Sequence, residues 1–217
     1  MDRNQVWQAL DTERTGVADL LESLAPAAWN TPSLCAGWTV REVAAHLTLG
    51  PRFTYATAFL EFARARGSFD RMVHDTAVRR AAARTPEELV LDLRATVGSR
   101  RLAPGQQLMD ALMDVLVHGQ DIALPLDLRR PMPHAATVAA LGHAWFRGRP
   151  FHARRTLAGF RLTATDSPFA VGKGEDVQGP SWALLLLVTG RPAALPHLTG
   201  DGIPALSRVC SPRTTRA

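Results

Sequence analysis

The sequence predicts a mainly helical α+β protein, with an antiparallel four-helix bundle in residues 1–148 and a small α+β domain in residues 149–210. Apolar residues recur at three- and four-residue spacing before residue 150, where no strand pattern is found. After that point apolar and polar residues alternate, which is typical of strands. Residues 211–217 are expected to form a disordered tail.

Two capping signals indicate where helices of the bundle begin. Thr39-Val-Arg-Glu42 is a capping box, with Thr39 as the N-cap and Glu42 at the third helical position. Thr85-Pro86-Glu87-Glu88 combines an N-cap, a proline at the first helical position and early acidic residues. The first signal also indicates how the following turns are aimed, and His46 lies on the second of them.

The helix predicted from about Gln106 to Leu124 carries the clearest chemical signal. Asp114 and His118 are four residues apart and therefore share one helical face, with Asp121 close by. A carboxylate in this position relative to a histidine can bind the same cation from the adjacent turn. The same spacing also fits a solvated stripe in which His118 hydrogen-bonds a carboxylate.

A metal site would need a third ligand from another part of the chain. His46 is the best-placed candidate, because its helix begins at a defined cap and its neighbours are apolar. The candidates are His46, His74, His134, His143, His152 and His197.

The C-terminal domain is predicted from alternation and turn chemistry. Residues 157–165 have a strand pattern, and two further short strands are expected near 169–171 and 177–178, arranged as a meander. An apolar helix follows from Trp182 to Thr189 and ends at Gly190.

Composition excludes several classes of protein. Cys35 and Cys210 are far apart and form no C-x-x-C pair, so neither a disulfide framework nor a thiolate zinc site is indicated. Cys35 and Trp38 are interpreted as core residues. The net charge of +5 comes from scattered arginines, which does not favour nucleic-acid binding. The longest apolar run, Trp182 to Val188, is too short to span a membrane, and we expect a cytoplasmic monomer or homodimer.

Two stretches of the sequence resemble a known family. The segment from Trp29 to Leu47, which contains Gly37-Trp38-Thr39-Val40-Arg41-Glu42-Val43-Ala-Ala-His46, is similar to the signature of the mycothiol-dependent maleylpyruvate isomerase family and its DinB-like relatives. Asp114-Val-Leu-Val-His118-Gly-Gln-Asp121-Ile-Ala resembles the second metal motif of that family. The stretches 163–166, 179–180, 189–191 and 198–202 resemble its C-terminal domain.

The resemblance implies a DinB-like bundle that holds one divalent ion, usually zinc, through His46, Asp114 and His118. The isomerase has a glutamate where this chain has Asp114, so the carboxylate here is set back by one methylene. Three protein ligands leave at least one coordination position open, which the thiol of mycothiol would take as cosubstrate. The implied activity is isomerisation of, or sulfur transfer to, a small electrophilic substrate.

Further residues are assigned on the same basis, and two other functions stay open. Asp121 would orient His118 or a metal-bound water, and an anionic substrate would need a cation, for which Arg191 and Arg52 are candidates.

One alternative is a metal-dependent hydrolase that uses a metal-bound water. The other is a non-catalytic protein that binds a small ligand or senses thiols.

Overall fold

A computed structural model describes residues 1–148 and 150–210, and the contacts among them divide the chain into two units. The first unit is Met1–Pro131, and the second begins at Met132. The division at residue 148 expected from the sequence differs from this one, because the helix His134–Arg147 packs against another helix of the second unit. Residues 211–217, the expected tail, lie outside the described residues.

The first unit is built from α-helices joined by short links. Its core contains fully buried leucines from several helices, each of which contributes about 1.5–3 kcal/mol to stability. The predicted fold class, mainly α with a small C-terminal α+β part, is confirmed. The helices of this unit are α1 (Arg3–Glu22), α2 (Val40–Leu47), α3 (Tyr55–Arg64), α4 (Phe69–Ala82), α5 (Pro86–Arg94) and α6 (Leu108–Ala123).

Helix α2 is the central element of this unit, because it packs against α4, α5 and α6. It begins at the predicted capping box: the backbone N–H of Thr39 donates to Glu42 Oε2 at 2.7 Å, and Thr39 Oγ1 accepts from the N–H of Arg41 at 3.3 Å. The preceding loop is closed by an antiparallel bridge between Pro32 and Thr39. Together these bonds fix the loop and the first turn of α2. The direction of His46, on the next turn, depends on them.

The second unit contains helices and a small sheet. Its elements are α7 (His134–Arg147), α8 (Ala153–Thr156), β1 (Gly159–Ala164), β2 (Ala170–Gly172), β3 (Gly174–Gly179), α9 (Ser181–Val188) and α10 (Ile203–Cys210). Helix α9 is apolar and largely buried. Among the described residues, no helix has the length and apolar character needed to cross a bilayer.

The order of the strands corrects the expected meander. The order is β2-β1-β3, with β2 antiparallel and β3 parallel to β1, so that β1 lies in the middle. The chain passes from one side of β1 to the other within Gly172–Gly174, and both glycines have positive φ angles, +81° and +126°. A Cβ at Gly174 would lie 1.9 Å from the carbonyl oxygen of Gly159. The crossing therefore requires glycine, which alternation of residue types does not reveal.

Replacing Thr39 with alanine is expected to lower the free energy of unfolding by about 1 kcal/mol, because an amide at the start of α2 loses its acceptor. Thr54→Ala is the matched control, since Thr54 caps α3 in the same manner but α3 has no buried residue. We expect this control to change the free energy by less than about 0.5 kcal/mol. Urea unfolding followed by circular dichroism measures both values, and equal losses would contradict the prediction.

Candidate metal centre

Three side chains from two helices converge at the centre of the first unit. His46 Nε2 of α2 lies 3.4 Å from Asp114 Oδ2 of α6, and His118 Nε2 lies 3.4 Å from Asp114 Oδ1. One ligand atom from each residue falls within 4.8 Å of the other two. The four-residue spacing on α6 places Asp114 and His118 on adjacent turns, and the packing of α2 on α6 supplies His46.

This donor set fits a divalent ion. Ligand atoms about 2.0–2.2 Å from a tetrahedral zinc lie about 3.3–3.6 Å from one another. Each of the two distances of 3.4 Å has this size, one to each oxygen of Asp114. Two imidazole nitrogens and one carboxylate oxygen are ligands that zinc commonly takes. The Asp114 side chain remains 35% exposed, whereas His118 is 11% exposed, so the cluster opens to solvent on the side of the carboxylate.

A second group of side chains contacts His118 at its other ring nitrogen, Nδ1. Asp121 has no exposed side-chain surface, and its Oδ2 lies 2.8 Å from His118 Nδ1. Since Nε2 of the same ring faces Asp114, the hydrogen bond to Asp121 fixes which nitrogen is available to a cation. That Asp121 orients His118 for a bound metal stays a prediction.

Cys35 belongs to this second group and is not the core filler that the sequence suggested. Its thiol donates to Asp121 Oδ2 at 3.0 Å, and its sulfur lies 3.6 Å from His118 Nδ1. Cys35, His118 and Asp121 also bring one ligand atom each within 4.8 Å of the others. The only sequence signal was the position of Cys35 inside the family signature, because no local pattern indicates where a loop cysteine will lie.

Trp38 also borders the cluster, although the sequence placed it only in the core. The centroid of its ring lies 5.3 Å from that of His46 and 6.3 Å from that of His118. His74 stacks on the indole with a centroid distance of 6.2 Å. Trp38 is buried, and within the described residues its Nε1 has no hydrogen-bond partner. The indole thus forms an apolar wall beside the two histidines.

The charges of the cluster act on one another. Burial by itself raises the pKa of Asp114, but positive charge on His46 and His118 holds this pKa well below its ordinary value. Burial lowers the pKa of His118, whereas Asp114 and the hydrogen bonds with Asp121 and Cys35 raise it well above its ordinary value. The site therefore stabilises positive charge beside its carboxylates, and a metal cation would supply such charge.

The other residues singled out by the sequence are not among the clustered side chains. Arg52 NH2 is 2.6 Å from Asp92 Oδ1, on the surface of the first unit. Arg191 belongs to the second unit, where its NH1 donates to the carbonyl of Thr189 at 2.6 Å. Among the remaining histidines, His74 lies in the first unit, and the second unit holds the others: His134, His143, His152 and His197.

Comparisons with known proteins agree with this architecture. The family model described as the mycothiol maleylpyruvate isomerase N-terminal domain matches residues 10–107. The crystal structure of the mycothiol-dependent maleylpyruvate isomerase is similar in fold, with a TM-score of 0.65 and 14% identity over 93% of each chain. A histidine-to-alanine mutant of that isomerase gives a TM-score of 0.63 with the same identity and coverage. No curated protein sequence matches the chain.

The family match includes Cys35, Trp38 and His46, but it ends one residue before α6. The match therefore says nothing about Asp114 and His118. Their place beside His46 comes from the geometry of the first unit alone, because structural similarity at 14% identity shows only the fold.

Substitution of His118 by alanine is expected to reduce bound zinc from about one ion per chain to near zero, since two remaining ligands hold an ion weakly. His74→Ala is the control: this histidine stacks on Trp38 but is not among the clustered ligands, so metal content should be unchanged. Elemental analysis after dialysis measures both proteins. Equal metal content in the wild type and His118→Ala would refute the site.

Asp121→Asn is expected to weaken zinc affinity by about 10- to 100-fold, because the amide cannot hold the His118 ring as a carboxylate does. Competition with a chromophoric chelator gives the dissociation constants. Cys35→Ala serves for comparison, since it removes a neighbour but leaves the contact between Asp121 and His118 in place. A larger loss of affinity in Cys35→Ala than in Asp121→Asn would overturn the assignment.

Proposed function

We propose that this chain is an enzyme that uses a divalent metal and a low-molecular-weight thiol, mycothiol. Residues 10–107 match the family model of the mycothiol maleylpyruvate isomerase N-terminal domain, which supports the proposal. Its substrate would be a small electrophilic molecule that is isomerised or receives the sulfur. The observation that carries this proposal is the convergence of His46, Asp114 and His118 on one point with a solvent-facing side.

The three clustered residues would hold the ion and leave at least one coordination position open. A zinc ion bound there would supply Lewis-acid chemistry, lowering the pKa of a coordinated thiol so that a thiolate is available near neutral pH. His46 and His118 contribute neutral nitrogen ligands, and Asp114 contributes the single negative charge. Because Asp114 is shorter than the glutamate expected in the family, α6 has to bring its backbone nearer to the ion.

The nucleophile would come from the cosubstrate and not from the protein. Cys35 lies on the Nδ1 side of His118, whereas the clustered ligand atoms lie on the Nε2 side of the same ring. The Cys35 thiol is already engaged with Asp121 at 3.0 Å. Cys35 and Asp121 are therefore positioning residues in this proposal, which act through the orientation of His118.

We place the reaction in the cytoplasm, where cysteines such as Cys35 and Cys210, which form no disulfide with each other, stay reduced. Arg191 and Arg52 were the candidates for binding an anionic substrate. Arg52 is already paired with Asp92, so any role in binding would require that pair to break.

Zinc-reconstituted protein is expected to convert maleylpyruvate only when mycothiol is added, and His46→Ala should lower kcat/KM by at least about 100-fold, since a bound metal contributes several kcal/mol. Loss of the maleylpyruvate absorbance measures the rate. His134→Ala is the control, because His134 is an exposed histidine of the second unit. Turnover at the same rate without any thiol would contradict the proposal and favour hydrolysis.

A further inference from the structure

A narrow cavity in the first unit opens beside Asp114 and has a mixed polar and apolar lining. It has room for little more than a water molecule or a carboxylate group. Three polar side chains and a set of apolar ones face it. Its lining includes Arg14, Gln106 and Asp114, together with Leu47, Leu93 and Val115.

Arg14 is a buried arginine whose guanidinium is only partly used by the protein. Its NH1 donates to the carbonyl of Thr96 at 2.8 Å and to that of Ser99 at 3.4 Å, which holds the side chain in place. Among the described residues, every hydrogen bond of Arg14 is made through NH1. Its Nε and NH2 groups, which form one edge of the guanidinium, are thus available to an occupant of the cavity.

The charge of Arg14 is poorly compensated by its neighbours. Its nearest carboxylate, Asp11, lies 3.9 Å away, and Asp11 is bound more closely by Arg100 at 2.7 Å and by the N–H of Gly98 at 2.9 Å. Asp114 also attracts Arg14, but a cation held by Asp114 would take up that negative charge. The cavity would then be positively charged, and its apolar walls would strengthen the attraction of an anion.

Gln106 adds a second donor on the same cavity. Its Oε1 accepts the N–H of Ala103 at 3.2 Å, so the side chain is oriented by the loop that leads into α6. The amide nitrogen has no hydrogen-bond partner among the described residues, and an amide N–H₂ offers two donors. Arg14 and Gln106 both line this cavity, and an arginine edge combined with an amide donor suits a planar oxyanion.

We propose that Arg14, assisted by Gln106, binds a carboxylate of the small-molecule substrate in this cavity and thereby determines specificity for carboxylic acids. The inference rests on the proposed function, because it assigns the cavity to the substrate of the same metal centre. A carboxylate bound here would hold the neighbouring carbon atoms beside Asp114, where the thiol is expected to react. Arg14 would take the role for which Arg52 and Arg191 were the sequence candidates.

The first test measures binding without turnover. Zinc-reconstituted wild-type protein is titrated with maleate and with its neutral diamide by isothermal calorimetry. We expect maleate to bind at least about tenfold more tightly than the diamide, because the charge-assisted hydrogen bonds are lost in the diamide. Equal affinities would overturn the proposal, and this comparison does not depend on any variant being folded.

The second test uses variants of Arg14. Arg14→Gln is expected to weaken maleate binding at least about tenfold and to remove the preference over the diamide, while Arg14→Lys restores part of it. Arg94→Gln is the matched control, since it removes an arginine of the same unit that is paired with Asp19 and Glu22 and does not line the cavity. Unchanged maleate affinity in Arg14→Gln with normal zinc content, or an equal loss in Arg94→Gln, would overturn the proposal.

The readouts separate this inference from the proposed function. Maleate binding that depends on Arg14, without thiol-dependent turnover, would support the carboxylate site and contradict the proposed activity. Thiol- and zinc-dependent turnover of maleylpyruvate with an unchanged KM in Arg14→Gln would support the activity and contradict the carboxylate site.

Discussion

The pairing of the partly exposed Asp114 carboxylate with two imidazoles, where α2 packs on α6, is the constraint that organises the first unit. Ionised groups are costly to remove from water unless their charges are matched. Asp114, His46 and His118 match one another, and Asp121 extends the arrangement inward. The same principle holds on the other side of α6, where buried Glu13 pairs with Arg130. Polar groups on both sides of α6 thus fix how this mostly buried helix sits in the core.

Local rules explain how far the cluster of His46, Asp114 and His118 could be predicted from the sequence. The Thr39–Glu42 capping box sets the start of α2 and hence the direction of His46, and the four-residue spacing on α6 sets Asp114 beside His118. Neither rule brings the two helices together. That step came from a family resemblance in the sequence and from the packing of α2 on α6 in the structure. The helical class of the first unit followed from periodicity for the same local reasons.

Features that depend on loops and long-range packing could not be predicted. Cys35 and Trp38 lie in the loop before α2, whose path is fixed by hydrogen bonds such as that from Ser33 Oγ to the carbonyl of Trp38. In the sequence, Arg14 looks like an ordinary polar residue of α1. Its hydrogen-bond partners Thr96 and Ser99 are more than eighty residues further along the chain. In the second unit, the parallel placement of β3 depends on how Gly172 and Gly174 cross the start of β1, at Gly159. Residue spacing carries no information about such distant contacts.

The two ring nitrogens of His118 have different surroundings. Nδ1 is held by protein groups, and Nε2 faces the proposed metal position. Nδ1 meets Asp121, whose Oδ2 also accepts from Cys35, so this side of the ring is enclosed by protein donors and acceptors. Nε2 meets Asp114, the most exposed of the clustered ligands, which also lines the cavity next to Arg14. A cation on the Nε2 side would therefore be held from within by a rigid, buried network and would face small molecules on one side only. The fold fixes the Nδ1 side of His118. On the Nε2 side, the lining of the cavity would select which acids approach the cation.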